Sequence, residues 1–200
     1  FYSDFFMTSA NSKAFLVILL GVLSAFGPFV VDLYLPSLPQ LATFFNSTAS
    51  MTQLTLTSAM IGLALGQLLL GPISDKFGRK KPLIISLLIY IVSTIFIVFA
   101  PNIETMIALR LIQGLSSAGG VVISRAIATD LYRGREMTRF FGLLMTINGM
   151  APIVSPILGS LLLEYISWKG VFAFLALIGV AVLAFCFRLK ESLRSENRLQ

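Results

Sequence analysis

The chain reads as six long apolar runs separated by short polar joints. From Lys13 to Leu35 it is almost wholly apolar, and further runs follow at about 51–72, 83–100, 103–128, 138–163 and 168–187. A helix crossing the hydrocarbon core of a bilayer needs about 20 such residues, so each run predicts one span. Residues 1–12 mix polar and aromatic groups and predict a tail or a surface-lying turn. Residues 188–200 alternate bases, acids and polar groups, which predicts a surface-lying helix or the start of a connector.

The joint from Gly71 to Leu83 is the most polar. It carries one acid, four bases, two glycines and two prolines. Each charge would cost a few kcal/mol at the bilayer centre, so the chain is expected to turn there in water. Gly78 suits a left-handed turn, and Pro82 suits the first turn of a new helix. The 36–50 joint is longer and uncharged, and Pro36 and Pro39 argue against a continuous helix through it.

Composition turns the pattern into a class. The 200 residues are 56% hydrophobic and 12% charged, against about 25% charged in soluble domains. The expected fold is an all-α membrane protein, a six-transmembrane-helix bundle. Fifteen bases exceed nine acids, yet they cluster in alternate joints. One set holds Lys76, Arg79, Lys80 and Lys81, then Arg133, Arg135 and Arg139, then Arg188, Lys190, Arg194 and Arg198. The other set, 36–50, 101–105 and 164–169, offers only Lys169. That asymmetry argues for topology rather than nucleic-acid binding, and places both ends of the chain and the 71–83 joint in the cytoplasm. The start lacks a basic segment followed by a small-residue cleavage site, so the first run is expected to be a permanent span.

Candidate chemistry is sparse. There is no histidine, and Cys186 has no second cysteine to pair with. A metal site, a histidine base and an intrachain disulfide are therefore not expected. An intramembrane enzyme would need a nucleophile with a base, or paired aspartates, so no enzyme is expected. Asp32 lies near the outer end of the first run, and Arg110 one to two turns inside the fourth, at similar depth. Intramembrane charges mark ion or substrate pathways by default. The plainer readings are that Asp32 snorkels or caps a helix end and that Arg110 is a structural counter-ion.

Small and helix-breaking residues add stripes. Gly21, Ser24, Pro28 and Asp32 share a face of the first run. Gly62 and Gly66 form a G-x-x-x-G pair that admits a close neighbour. Arg110, Gln113, Gly114, Ser117 and Val121 mark the fourth run, and Gly149, Pro152, Pro156 and Gly159 the fifth. One cavity shared by runs one, four and five is expected, with runs three and six facing lipid. Phe26, Phe29, Tyr34, Gln113, Met145 and Asn148 are its candidate lining, although ordinary packing explains any one of them.

These residues carry a resemblance. Gly71-x-x-x-Asp75-x-x-Gly78-Arg79-Lys80 resembles the signature loop between helices two and three of the major facilitator superfamily. Arg110-x-x-Gln113-Gly114 resembles its fourth-helix motif, and Ala151-Pro152-x-x-x-Pro156-x-x-Gly159 its fifth-helix antiporter motif. Asp32-Leu-Tyr-Leu-Pro36-Ser-Leu-Pro39 and Ser167-Trp168-Lys169-Gly170-Val-Phe172 are similar to the Bcr/CflA-like branch of twelve-helix drug:proton antiporters. Ala151 departs from the glycine usual before the first proline.

The resemblance implies the amino-terminal half of such a fold, a 3+3 inverted repeat. The missing carboxy-terminal half or a second copy would be its partner, in a bacterial inner (plasma) membrane. It implies proton-coupled efflux of an amphipathic small molecule, with no cofactor beyond the proton gradient. Asp32 and Arg110 would couple protons. Gly71, Asp75, Gly78, Arg79, Lys80 and Asp130 would form a cytoplasmic latch, with Arg79 bridging Asp75 and Asp130. Proton-coupled import on the same scaffold, or an assembly subunit without transport of its own, are the rival expectations.

Overall fold

The computed structural model describes residues 13–199; the expected tail at 1–12 lies outside the described residues, as does Gln200. The elements are α1 (Lys13–Asp32), a 3-10 turn (Leu35–Ser37), α2 (Leu38–Phe44), α3 (Ala49–Phe77), α4 (Lys80–Val98), α5 (Ile103–Leu131), α6 (Gly134–Leu163), α7 (Trp168–Arg188) and a 3-10 turn at Ser195–Asn197. Six segments are long and apolar enough to cross a membrane, with α1 continuing through α2 as one of them. Their outward faces are apolar, as at Leu68, Ile85, Phe96, Ile153 and Leu177.

Two joints differ from the sequence expectation. The 71–83 joint is mostly helix: α3 runs through Pro72 to Phe77, and α4 begins at Lys80. The reversal needs only Gly78, at φ +90°, and Arg79. The 36–50 joint is also largely helical. Pro36 and Pro39 fall in the first turns of the 3-10 piece and of α2, where a missing N–H leaves no bond unmade. They change the helical pitch without ending the helical path. Elsewhere α3, α5 and α6 extend beyond the apolar runs, because the polar first and last turns of a helix can protrude from a bilayer.

Caps fix other helix ends. Thr48 accepts the Met51 amide at 3.2 Å, and Asn102 accepts the Thr105 amide at 2.8 Å. Each satisfies a donor that the first helical turn leaves open.

α5 is the central post, packed by α1, α3 and α4. Its closest neighbour is α3. A methyl group at Gly62 or Gly66 would run into the Leu111 or Leu115 carbonyl, and one at Gly114 into the Ala59 carbonyl. The G-x-x-x-G pair thus serves contact within this bundle, reciprocated from α5. The pairings α1–α6 and α3–α5 exchange under a swap of the first three spans with the last three, and α4–α7 maps onto itself. This is the 3+3 repeat. Tyr90 ties α4 to α7 by donating to the Leu175 carbonyl at 3.0 Å, and its ring meets Phe26 of α1 edge-on at 4.6 Å.

Candidate functional site

Two polar clusters stand out, one within the bundle and one at its basic end.

Arg110 is the largest fully buried side chain, at 0% exposure. Its guanidinium donates from Nη1 to Gln113 Oε1 at 2.6 Å and to the Val30 carbonyl at 3.2 Å, and from Nε to the Thr55 carbonyl at 3.4 Å. Gln113 is oriented in turn by donating from Nε2 to Thr94 Oγ1 at 2.9 Å. The Tyr34 ring covers the guanidinium with its centroid 4.1 Å from Cζ, and Phe172 lies at 5.6 Å. Among the described residues Nη2 has no hydrogen-bond partner. A buried donor left so costs about 1–3 kcal/mol, and more when charged. The aromatic faces offset part of that electrostatically.

Asp32 is half-buried at the last position of α1. Among the described residues it has no ion pair with Arg110, although the Arg110 charge acts on it across the gap. The chain reverses the facing of side chains between Asp32 and Tyr34: the first is partly exposed, the second sealed.

These placements correct several expectations. Tyr34 and Gln113 are fully buried around Arg110 and are not among the walls of the apolar cleft. Runs three and six are not merely lipid-facing, since Thr94 of α4 and Phe172 of α7 complete the Arg110 cage. The apolar cleft of about 490 Å³ is lined by α1, α6 and α7, with Phe26, Phe29, Leu143, Ile147 and Ile178 among its walls, and by no residue of the fourth run. Phe29 therefore stands on the cleft. Met145 is exposed on α6, and Asn148 donates to Ser24 Oγ at 2.8 Å, which joins α6 to α1. The fifth-run quartet divides: Gly159 packs on the Leu33 carbonyl, whereas Gly149 faces open space and Pro152 is exposed.

At the basic end, Arg79 lies among carboxylates. It donates to Asp130 in a fork, Nε to Oδ2 at 2.8 Å and Nη2 to Oδ1 at 3.2 Å. Nη1 reaches Asp75 Oδ1 at 2.5 Å and Ser74 Oγ at 2.8 Å. Burial alone would push the Arg79 pKa down, and the bonds and charges of Asp130 and Asp75 outweigh it, so it lies above its ordinary value. The chain after α7 folds over this cluster. Glu191 accepts the Arg79 and Lys80 amides, and Ser192 donates to Asp130 Oδ2 at 2.9 Å. Burial would raise the Glu191 carboxyl, but the amides of Arg79, Leu193 and Lys80 and the charge of Arg198 hold it below the usual carboxylate value. Lys80 donates to the Phe187 carbonyl at 2.9 Å. Gly78, with its positive φ, lies against Glu191 and Arg198. Gly71 is less crowded: a methyl group placed there would meet only Val122, at an ordinary 3.7 Å.

The family model described as Major Facilitator Superfamily matches residues 15–200. The chain belongs to the major facilitator superfamily. Among its relatives is an uncharacterized MFS-type transporter, YdgK, of Bacillus subtilis, 44% identical over 96% of this chain and 48% of that protein. A bicyclomycin resistance protein homolog of Haemophilus influenzae is 31% identical over 96% and 49%. A chloramphenicol resistance protein of Pseudomonas aeruginosa is 34% identical over 88% and 42%. The chain spans about half the length of the curated relatives it matches. The structure of the human organic anion transporter MFSD10 (TETRAN) superposes with a TM-score of 0.72 at 22% identity, covering 94% of this chain and 50% of that one. That likeness fixes the fold: a six-helix bundle of the kind that forms one half of a major facilitator.

Thr55, Thr94, Glu191 and Ser192, which complete the two clusters, are absent from the candidates that the sequence offers, and Phe172 enters there only as the end of the Ser167–Phe172 resemblance. Thr52, Thr55 and Ser58 recur at threes along α3, a signal that the sequence does carry. Thr94 sits in a run that reads as lipid-facing and gives none. Arg125, also inside the fourth run, is a further charge outside the candidate set; its buried Nε has no partner among the described residues.

Proposed function

We propose that this chain is the amino-terminal half of a proton-coupled exporter of amphipathic small molecules, working by alternating access. The observation that carries the reading is the pairing of a half-buried Asp32 with a fully buried Arg110 in the same end of the bundle. A carboxylate that gains or loses a proton beside a fixed cation changes the local charge balance, and Arg110 stays charged throughout. The apolar cleft walled by Phe26 and Phe29 offers a low-polarity surface to cargo. Relatives named for bicyclomycin and chloramphenicol resistance favour drug-like cargo and export over import. The basic joints face the cytoplasm in this reading, with Arg79, Asp75 and Asp130 as the latch against the other half.

The test uses the full-length protein in sealed vesicles with an imposed pH gradient. Efflux of a chloramphenicol-like probe is expected to follow the gradient, and Asp32→Asn to abolish that dependence. Efflux equally fast with the gradient collapsed would sink the reading.

A further inference from the structure

We infer that Tyr34 is a positioning residue: its ring closes over Arg110 and seals the guanidinium from water. The inference rests on the proposed proton coupling only for its consequence, since the caging itself is a matter of packing. Three observations converge on it.

The first is contact. The Tyr34 centroid is 4.1 Å from Arg110 Cζ, and both side chains are 0% exposed. Phe172 buttresses the ring, at 5.6 Å between centroids.

The second is the orientation of the hydroxyl. Thr55 Oγ1 carries one hydrogen, and this oxygen lies 2.5 Å from the Thr52 carbonyl oxygen that would accept it. Tyr34 Oη is 2.8 Å from the same Thr55 oxygen. With Thr55 donating to Thr52, Tyr34 must be the donor between them. The ring is therefore pinned at its tip to α3 and at its face to α5. The Thr55 carbonyl also accepts from Arg110 Nε, so one residue of α3 fixes both cage and contents.

The third is the backbone. Tyr34 sits in the junction between α1 and the 3-10 turn, two positions after Asp32. A change in that junction moves the acid and the cover together. The titratable groups around Arg110 are Asp32 and Tyr34 from this junction and Tyr90 from α4; α3 contributes Thr55, and α7 contributes Phe172. Asp32 is the carboxyl among them, and so the group whose charge a proton can switch. Nη2, buried without a partner, is the donor that would find a new acceptor once the ring moves.

The experiment reads Arg110 directly. Full-length protein in nanodiscs is treated with phenylglyoxal, and the modified fraction of Arg110 is measured by mass spectrometry. Arg110 is expected to be protected in the wild type and in Tyr34→Phe, which keeps the ring. Tyr34→Leu is expected to raise the modification rate by about ten-fold, as loss of a desolvated cation–π contact implies. If Tyr34→Leu does not fold, Tyr34→Met, which fills the space without offering a ring face, is expected to raise the rate in the same direction. In vesicles, Tyr34→Leu is expected to shift the pH profile of efflux, and Tyr34→Phe to leave it in place. Arg110 equally protected without the ring, or efflux lowered by one factor at every pH, would overturn the inference. Wild-type efflux indifferent to pH would remove the proposed coupling and leave the labelling result to decide the cage.

Discussion

The Glu191 carboxylate accepts the Arg79 amide at 2.8 Å across 112 residues of sequence. With the Lys80 amide on its other oxygen at 3.1 Å, it caps α4 from outside the helix. Arg79, the cap position, makes no side-chain cap of its own, because its guanidinium is engaged with Asp130 and Asp75.

Glu191→Ala should therefore loosen the start of α4 first. The Arg79 and Lys80 amides are expected to exchange hydrogen roughly ten-fold faster, the effect of losing charge-assisted bonds. The wild-type protection has a definite pH window. Because folding lowers the Glu191 pKa, its contribution is fully present above the unfolded value of about 4.3 and is lost as pH falls through the lower folded value. Exchange measured against pH checks both the size and the sign.

Arg79→Lys should not substitute for Arg79. Its fork to Asp130 uses two nitrogens and a third serves Asp75 and Ser74, a geometry one ammonium cannot reproduce. The expected loss is about 2–4 kcal/mol of stability, since Arg79 and Asp130 side chains are only 7% and 13% exposed. A double-mutant cycle with Asp130→Asn, followed by thermal unfolding, measures the coupling.

Gln113→Leu should cost more than Thr94→Val. The first strips Arg110 of its shortest hydrogen bond and leaves a buried cation short of acceptors; the second removes only the group that orients Gln113. Expected losses are about 2–4 and about 1 kcal/mol, to be read from the unfolding midpoints of the two variants.

Gly62→Ala and Gly149→Ala should move stability in opposite directions. The first pushes a methyl into the Leu111 carbonyl, with a cost of about 1–3 kcal/mol. The second meets nothing within 4 Å among the described residues and gains helix propensity of up to about 1 kcal/mol. Unfolding of the isolated six-helix chain compares them. A destabilising Gly149→Ala in a chain that carries the proposed second half, with a stabilising one here, would locate a further helix against α6.

The six helices are legible in the sequence because apolar runs of this length have one stable form in lipid, where every backbone group must bond internally. The joints are harder. Gly71–Phe77 reads as a loop by charge and is helix, since the charges need water rather than irregular backbone. Asp32 and Arg110 are visible as charges in apolar runs, but their surroundings are not. Tyr34 looks like cargo lining and is a sealed cover, because the face it presents is set by the break after Asp32. Thr94 and Phe172 are hidden in runs with no polar stripe, and Glu191 in a tail with no periodicity. Which distant segments meet is decided by the packing of α5 against its neighbours.

The backbone-to-backbone seam between α3 and α5 has a mechanical corollary. With no side chains between them at Gly62, Gly66 and Gly114, the two rods have no cushion in which to slide. In any rearrangement of the bundle they are expected to move as a single stiff beam, with the Arg79 cluster at one end and the Arg110 cage nearer the other, so that displacement at either cluster would be felt at both.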